Sequence, residues 1–298
     1  MQDHYIRAIS VSGGIRMLVC STSKLAGHIC SMQGTSPTAT VALGRGLAAG
    51  ALMGGLLKGG QSVALKFEGN GPLGKMIIEA EGDGAVRGYV ANPLAEAEPV
   101  EGRWNVPGVL GRAGFLTVAK DDGRGKEPYR GMVQLKSSEI GDDLAAYLAE
   151  SEQTPSAVGV AVSLAIGGTI AVCGGFLVQA LPRADDSEID AVMAHIRRIE
   201  QLSTLLAESG TDGVLATLMG DIPYNSLETR ELFFRCGCSR SKVEQALYSL
   251  GSAGLKEIRE NEGFAEVTCE FCRQKYRFDK EELKRIEMLV ALPEKPEE

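Results

Sequence analysis

The chain has 298 residues, 44% of them hydrophobic and 23% charged, with a formal net charge of −8. That length holds a large core plus a smaller second unit, and the acidic balance argues against a general nucleic-acid binder, which is usually basic. The N-terminus shows no basic region followed by an apolar run, so no signal peptide is read, and the most apolar stretch, Val41 to Leu57, is interrupted by Arg45 and five glycines and is too short to span a bilayer.

A cytoplasmic, reducing location follows, in which the cysteines are thiols. Residues 1–180 read as an α+β core domain. Ser62–Glu68, Lys75–Ala80, Val86–Val90, Phe115–Ala119 and Met132–Leu135 are short apolar or alternating segments punctuated by Gly, Asn, Asp and Pro, as in antiparallel meanders. Two segments carry helical spacing, from about Thr38 to Lys58 and from about Ile140 to Glu152. No strict β-α-β alternation appears, so α+β is expected and not a doubly wound sheet.

Residues 181–230 read as a helical linker. Pro182 closes the preceding strand, and Ser187 with Asp190 resembles a capping box. Ile189, Val192, Met193, Ile196, Ile199, Leu202, Leu205 and Leu206 then form one apolar stripe, stopped at Ser209-Gly210. A second short helix is expected over Gly213–Met219. Such a stripe must lie on something, and the first domain is the nearest partner. Ile189, Val192, Ile196, Ile199 and Leu206 are the residues expected to meet client proteins if the stripe is ever released.

Residues 231–291 read as a small separate domain, and 292–298 as a disordered tail. Charge density jumps here: residues 231–298 hold 26 of the 70 charged side chains, about 38% of that segment against about 19% before it. So charged a piece buries little apolar surface and needs a staple. Ser239 or Ser241 should cap one helix, Ser252 a shorter one, and Asp279 a last one reaching about Leu289, with a hairpin formed by Phe264–Thr268 and Lys275–Phe278.

The staple is visible. Cys236 and Cys238 form C-x-C, and after thirty intervening residues Cys269 and Cys272 form C-x-x-C. Two close thiol pairs separated by one small folding unit are a four-thiolate zinc site. The same sulfurs can also close as neighbouring disulfides, and a small ring between thiols two residues apart is labile. Arg235, Arg240, Lys242, Arg273 and Lys275 flank the pairs and are expected to favour the reactive thiolate. Structural zinc contributes on the order of 10 kcal/mol to a small metal domain, so oxidation that removes the ligands should unfold it.

Other motifs weigh less. Gly69 to Lys75 fits G-x-x-x-x-G-K, but Met76 stands where Ser or Thr should hold magnesium, and a strand follows where a helix is needed. A turn is expected there, and no nucleotide. Gly44-Arg-Gly46-Leu-Ala-Ala-Gly50 is a dinucleotide fingerprint with one residue too many, and close helix packing accounts for it. His4, His28 and His195 share no motif, no catalytic residue is assigned, and Cys20, Cys30 and Cys173 read as small core residues. Two rival functions remain. One is a zinc-ribbon nucleic-acid binder using Lys275, Tyr276, Arg277 and Phe278, weakened by 12 basic against 14 acidic residues in 231–298. The other is a thiol-disulfide oxidoreductase, which needs C-x-x-C at a helix N-terminus and not on a hairpin.

Cys236-Gly-Cys238-Ser, Val267-Thr-Cys269-Glu-Phe-Cys272 and Tyr276-Arg-Phe278-Asp279 resemble the bacterial thirty-three-kilodalton redox-regulated heat-shock chaperones. So do Gly34 to Ala39, Arg87 to Val90 with Asn92-Pro93, Pro128 to Gly131, Ser151 to Ser156 and Gly174 to Gln179, which spread the resemblance over nearly the whole chain. The resemblance implies a core domain, a helical linker and a C-terminal zinc domain, with one zinc held by Cys236, Cys238, Cys269 and Cys272. It implies disulfides Cys236–Cys238 and Cys269–Cys272 on oxidation, ATP-independent holding of unfolding client proteins, and a homodimer in the oxidised state. The acidic balance, the short apolar stretch and Met76 lead to the expectation of no nucleic-acid, membrane or nucleotide partner.

Overall fold

The computed structural model describes residues 2–291, so the tail expected over 292–298 lies outside the described residues. In chain order the first elements are β1 (His4–Ser10), β2 (Ile15–Ser21), α1 (Ser23–Gln33), α2 (Pro37–Gly54), β3 (Ser62–Gly69), β4 (Lys75–Glu81) and β5 (Ala85–Val90). There follow α3 (Val106–Leu110), β6 (Gly114–Asp121), β7 (Tyr129–Gln134), α4 (Ile140–Glu150), β8 (Ser156–Leu164) and β9 (Ile170–Ala180). Next come α5 (Asp186–Arg197), α6 (Leu202–Met219), β10 (Tyr224–Glu231) and β11 (Phe233–Phe234). The chain closes with α7 (Arg240–Tyr248), α8 (Gly251–Asn261), β12 (Phe264–Thr268), β13 (Lys275–Asp279) and α9 (Lys280–Ala291). It divides into two compact units, Met1–Arg235 and Cys236–Glu298.

The first unit is layered around α2. A five-stranded antiparallel sheet, β10-β1-β2-β9-β8, lies on one side of this helix, and a six-stranded sheet, β11-β5-β4-β3-β6-β7, on the other. The second sheet is antiparallel except where β11 joins β5. Ser36 caps α2 by accepting a hydrogen bond from the Ala39 N–H, and Pro37 occupies the first turn, where its missing N–H costs nothing. From Thr38 onward every residue of α2 but Arg45 is buried. Its glycines allow that. A Cβ on Gly46 would fall 2.8 Å from Met76 Sδ, and one on Gly50 would fall 2.4 Å from Ile78 Cγ2. The fingerprint-like glycine run is therefore a packing surface between helix and sheet. The phosphate-loop lookalike is the turn joining β3 to β4.

Alternation explains the second sheet. Val63, Leu65 and Phe67 of β3 and Met76, Ile78 and Ala80 of β4 face α2, while their neighbours face outward. The first sheet is covered on both faces. Leu18 and Cys20 of β2 join the α2 core, whereas Ile15, Met17 and Val19 join a second cluster under α5 and α6.

That second cluster receives the stripe. Val192 and Leu206 are buried in it, and Ile189, Ile196 and Ile199 pack half-buried against it. The stripe is not one helix. Helix α5 ends at Arg197, α6 starts at Leu202, and Gly210 breaks α6 with φ 66° and ψ −167°. The helix expected over Gly213–Met219 is the second arm of α6. The N-cap of α5 is Asp185, which accepts from the Ser187 N–H at 2.8 Å, and not Ser187 itself. The end of the segment expected to be a helical linker, 224–230, belongs instead to strand β10 beside β1. This strand is fastened by backbone pairing and by charges such as Arg7–Glu228 at 2.7 Å. It carries little apolar alternation, so its sequence holds no strand signal.

The second unit packs α7, α8 and α9 against the β12–β13 hairpin. Its buried core is Val243, Leu247, Leu255, Ala265, Phe278, Leu283 and Ile286. Ser239 caps α7. Asp279 Oδ1 accepts from the Glu281 and Glu282 N–H groups, and Glu282 accepts in return from the Asp279 N–H, a reciprocal cap of α9. Ser252 caps nothing: α8 begins at Gly251, which turns the chain with φ 67°. No helix among the described residues is long and apolar enough to cross a membrane.

The close approach of α2 to β4 yields a test. Gly50→Val forces Ile78 aside in a filled core and should cost about 1–3 kcal/mol, read as a lower denaturation midpoint of the first unit with unchanged thiol content.

Candidate metal centre

The four cysteines of the second unit come together from two places. Cys236 and Cys238 lie just before α7, in a turn that Lys242 supports by donating from Nζ to the Gly237 carbonyl at 2.7 Å. Cys269 and Cys272 lie in the knuckle between β12 and β13, where the Cys269 N–H donates to the Gln274 carbonyl and the Arg273 N–H to the Cys269 carbonyl, both at 2.9 Å. Arg273 closes this knuckle with φ 57°, a left-handed conformation that costs an L-residue roughly 1–2 kcal/mol. Ladder pairing from Phe264↔Asp279 to Thr268↔Lys275 fixes the hairpin register and hence the direction of the knuckle.

All four sulfurs lie within 4.8 Å of one another. Cys236 and Cys269 approach to 3.7 Å and Cys238 and Cys272 to 3.3 Å, so the close contacts run between the two motifs. Four sulfurs at about 2.3 Å from a tetrahedral centre are about 3.8 Å apart. The donor set and spacing therefore fit a metal ion of zinc's size, and the four cysteines could hold one. None of the seven cysteines is in a disulfide.

The thiols differ. A hydrogen bond from the Tyr276 hydroxyl, 3.1 Å from Cys238 Sγ, lowers that thiol to about 7, with burial opposing it. Burial pushes Cys272 up to about 12 and raises Cys236. Tyr276 is itself raised to about 12 because its hydroxyl donates to Cys238. In the first unit, burial pushes Cys30 and Cys173 up to about 12 and Cys20 well above its ordinary value, which keeps these core thiols protonated and unreactive.

Four of the five cations expected to favour the thiolates pair with carboxylates, and Lys242 stays beside the site on the Gly237 carbonyl. Arg235 pairs with Glu81 and Asp83 at 2.6 and 2.8 Å, Arg240 with Glu282 at 2.7 Å, Arg273 with Glu270 at 3.3 Å and Lys275 with Glu266 at 2.8 Å. The residue that lowers a thiol is Tyr276, which in the sequence stands out only as part of a basic-aromatic run suited to nucleic acid. The signal for its inward position lies in the hairpin alternation, which puts Tyr276 and Phe278 on the inner side. The rest of that run is also committed: Phe278 is buried under Arg240, and Arg277 stacks on Phe264 at 4.2 Å. The histidines are dispersed. His4 bonds Thr211, His28 meets the Phe234 ring edge-on, and His195 reaches the Leu218 carbonyl.

Tyr276→Phe should return Cys238 toward an ordinary thiol value of about 8.5. Alkylation of that cysteine at pH 7 in reduced, metal-free protein should then slow on the order of tenfold, read by peptide mass mapping.

Comparison with known proteins places this architecture. The family model for the Hsp33 protein matches residues 3–279. A 33 kDa chaperonin of Pelobacter propionicus is 63% identical over 292 residues, covering 98% of this chain and 96% of that protein. One of Geobacter sp. strain M21 is 50% identical over 295 residues, covering 99% of this chain and all of that one (100%). The crystal structure of the 33 kDa chaperonin (heat shock protein 33 homolog) from Thermotoga maritima superposes with a TM-score of 0.89 at 31% identity, covering 97% of this chain and 99% of that one. The chain belongs to the Hsp33 family of 33 kDa chaperonins.

Proposed function

We propose that the protein is a redox-regulated, ATP-independent holdase, which binds unfolding proteins under oxidative stress and keeps them from aggregating. The supporting observation is the cluster of four sulfurs within 4.8 Å in a small unit with a seven-residue buried core. In the reduced state Cys236, Cys238, Cys269 and Cys272 hold one zinc per chain. Zinc bound there keeps the sulfurs as thiolates and cross-links the segment before α7 to the hairpin.

Oxidation acts on the cysteines. With peroxide, two thiolates and two protons give one disulfide and two waters, so closing Cys236–Cys238 and Cys269–Cys272 consumes two peroxides per chain. A disulfide sulfur is no longer a thiolate donor, so the cross-link is lost and the second unit unfolds. In metal-free protein the Tyr276 hydroxyl holds Cys238 nearer its reactive thiolate than burial leaves Cys236 or Cys272. The half-buried stripe on α5 and α6, with Ile189, Val192, Ile196, Ile199 and Leu206, then loosens from the first sheet and is offered to clients. The oxidised protein forms a homodimer. The reading assigns no catalytic residue, no nucleotide and no nucleic acid, and places the protein in the cytoplasm.

The test compares suppression of aggregation of an unfolding reporter enzyme before and after peroxide, with zinc release followed in parallel. Activity should appear only after oxidation and with zinc release, and full activity in reduced, zinc-loaded protein would contradict the reading. Ile196→Asp sets a carboxylate against the second cluster and should cost about 2 kcal/mol or more. It should raise holdase activity without oxidant, and an inactive variant with α5 fully protected in hydrogen exchange would remove α5 from the switch.

A further inference from the structure

Strand β7 is the outermost strand of the six-stranded sheet. The Leu135 N–H donates to the Gly114 carbonyl, which fixes the phase of the β6–β7 ladder. Tyr129, Gly131 and Val133 therefore point their backbone groups at β6, and Arg130, Met132 and Gln134 point theirs away from it. No hydrogen bond reaches these outward groups among the described residues. All three residues are exposed, Met132 by 62%.

The edge is shut on both sides of this stretch. Pro128 precedes it and has no N–H. Beyond it, the next outward N–H, that of Lys136, donates to Asp143 Oδ1 at 2.8 Å, and that of Ser137 donates to the same oxygen at 3.1 Å. The corresponding edge of the other sheet, β8, is covered by α4: a Cβ on Gly141 would come within 2.9 Å of the Val158 carbonyl. Folded proteins close or charge such edges because an open one templates strand addition. Here the closure is interrupted for one short run, beside the outward-facing Met132 and Phe115.

We infer that the open run Arg130–Gln134 of β7 is a docking edge for an extended segment of an unfolded polypeptide, held by strand addition. Backbone groups at alternate positions recognise another extended backbone whatever its sequence, which suits capture of diverse unfolded chains. The run spans roughly 14 Å, so a second copy pairing through it would bury far less than the roughly 1,200 Å² of a stable specific dimer. It carries Arg130 and no acidic residue, so neutral or acidic extended segments are favoured. The inference rests on the holdase reading: the edge is already open with the cysteines unoxidised, so it is an auxiliary site that holds one short stretch of backbone, and holding of a whole client still requires release of α5 and α6.

The experiment uses full-length oxidised protein and reduced, carboxymethylated α-lactalbumin as a permanently unfolded probe. Met132→Pro removes one outward N–H at an edge position that tolerates proline, and Met132→Lys retains it. Met132→Pro should weaken probe binding by about tenfold or more, with near-ultraviolet circular dichroism and peroxide-driven zinc release unchanged, while Met132→Lys stays within about threefold. In the unsubstituted protein, the probe should slow hydrogen exchange at the Arg130, Met132 and Gln134 amides. This second readout decides the matter if Met132→Pro folds poorly. Equal binding by Met132→Pro, or no protection at the three amides, overturns the docking edge and leaves the holdase reading standing. Loss of self-association in Met132→Pro with probe binding intact also overturns it, in favour of a second copy. Failure of the oxidised, unsubstituted protein to bind the probe overturns both.

Discussion

Four sulfurs gathered within 4.8 Å are the constraint on which the second unit depends. Its helices are charged and its core is small: Val243, Leu247, Leu255, Ala265, Phe278, Leu283 and Ile286 are its buried apolar residues. Ion pairs such as Arg240–Glu282 and Arg285–Glu244 tie α7 to α9, but their arginines are exposed, and solvent-screened pairs contribute about 0–1 kcal/mol. The Ser239 cap starts α7 without reaching the hairpin, and the Asp279 cap ties α9 only to the end of β13. The segment before α7 and the β12–β13 knuckle meet at the cysteines. In the proposed reading, a metal cross-link there replaces the core that so short a charged segment cannot build.

The first unit depends on a different device, a nearly fully buried helix between two sheets, and it has no need of the sulfurs. Its connectivity bears on how a signal from the second unit would act. Helices α5 and α6 lie between β9 and β10, and both strands belong to the same sheet. From β10 the chain passes through β11, which pairs with β5, and through Arg235, which pairs with Glu81 and Asp83, immediately before Cys236. In the proposed cycle the helices therefore leave as a loop tethered at both ends. Helix α5 is the weaker of the two, since Val192 is its one buried residue. A two-state element moves only as far as the free energy applied to it allows, and α5 needs the least.

The division between what could and could not be read in the sequence follows the physics of each element. Strands β3, β4 and β6 bury one face and alternate cleanly, so their positions were plain. Helix α2, expected from about Thr38 to Lys58, runs over Pro37–Gly54, and its glycines form the packing surface expected of them. The four cysteines were legible because two closely spaced thiol pairs in a charged, core-poor segment point to one shared metal. Strand β10 was not, because pairing and the Arg7–Glu228 ion pair hold it in place of apolar alternation. The break between α5 and α6 was masked by a stripe that stays apolar across it, since both helices lie on one sheet. The thiol chemistry was misassigned for a related reason. Arg240, Arg273 and Lys275 are near the cysteines in sequence, but acidic partners claim them. Tyr276 reaches Cys238 through the fold of the hairpin, which no spacing rule encodes.

The central claim is that metal–thiolate bonding holds the second unit folded and the first unit stands without it. Hydrogen exchange of the reduced protein, followed peptide by peptide as zinc is withdrawn with a chelator, tests this most directly. The account predicts that β12, β13 and α9 lose protection as metal leaves while β2, β9 and α2 keep theirs. Persistent protection of the β12–β13 hairpin and α9 in protein free of metal and of disulfides would contradict it.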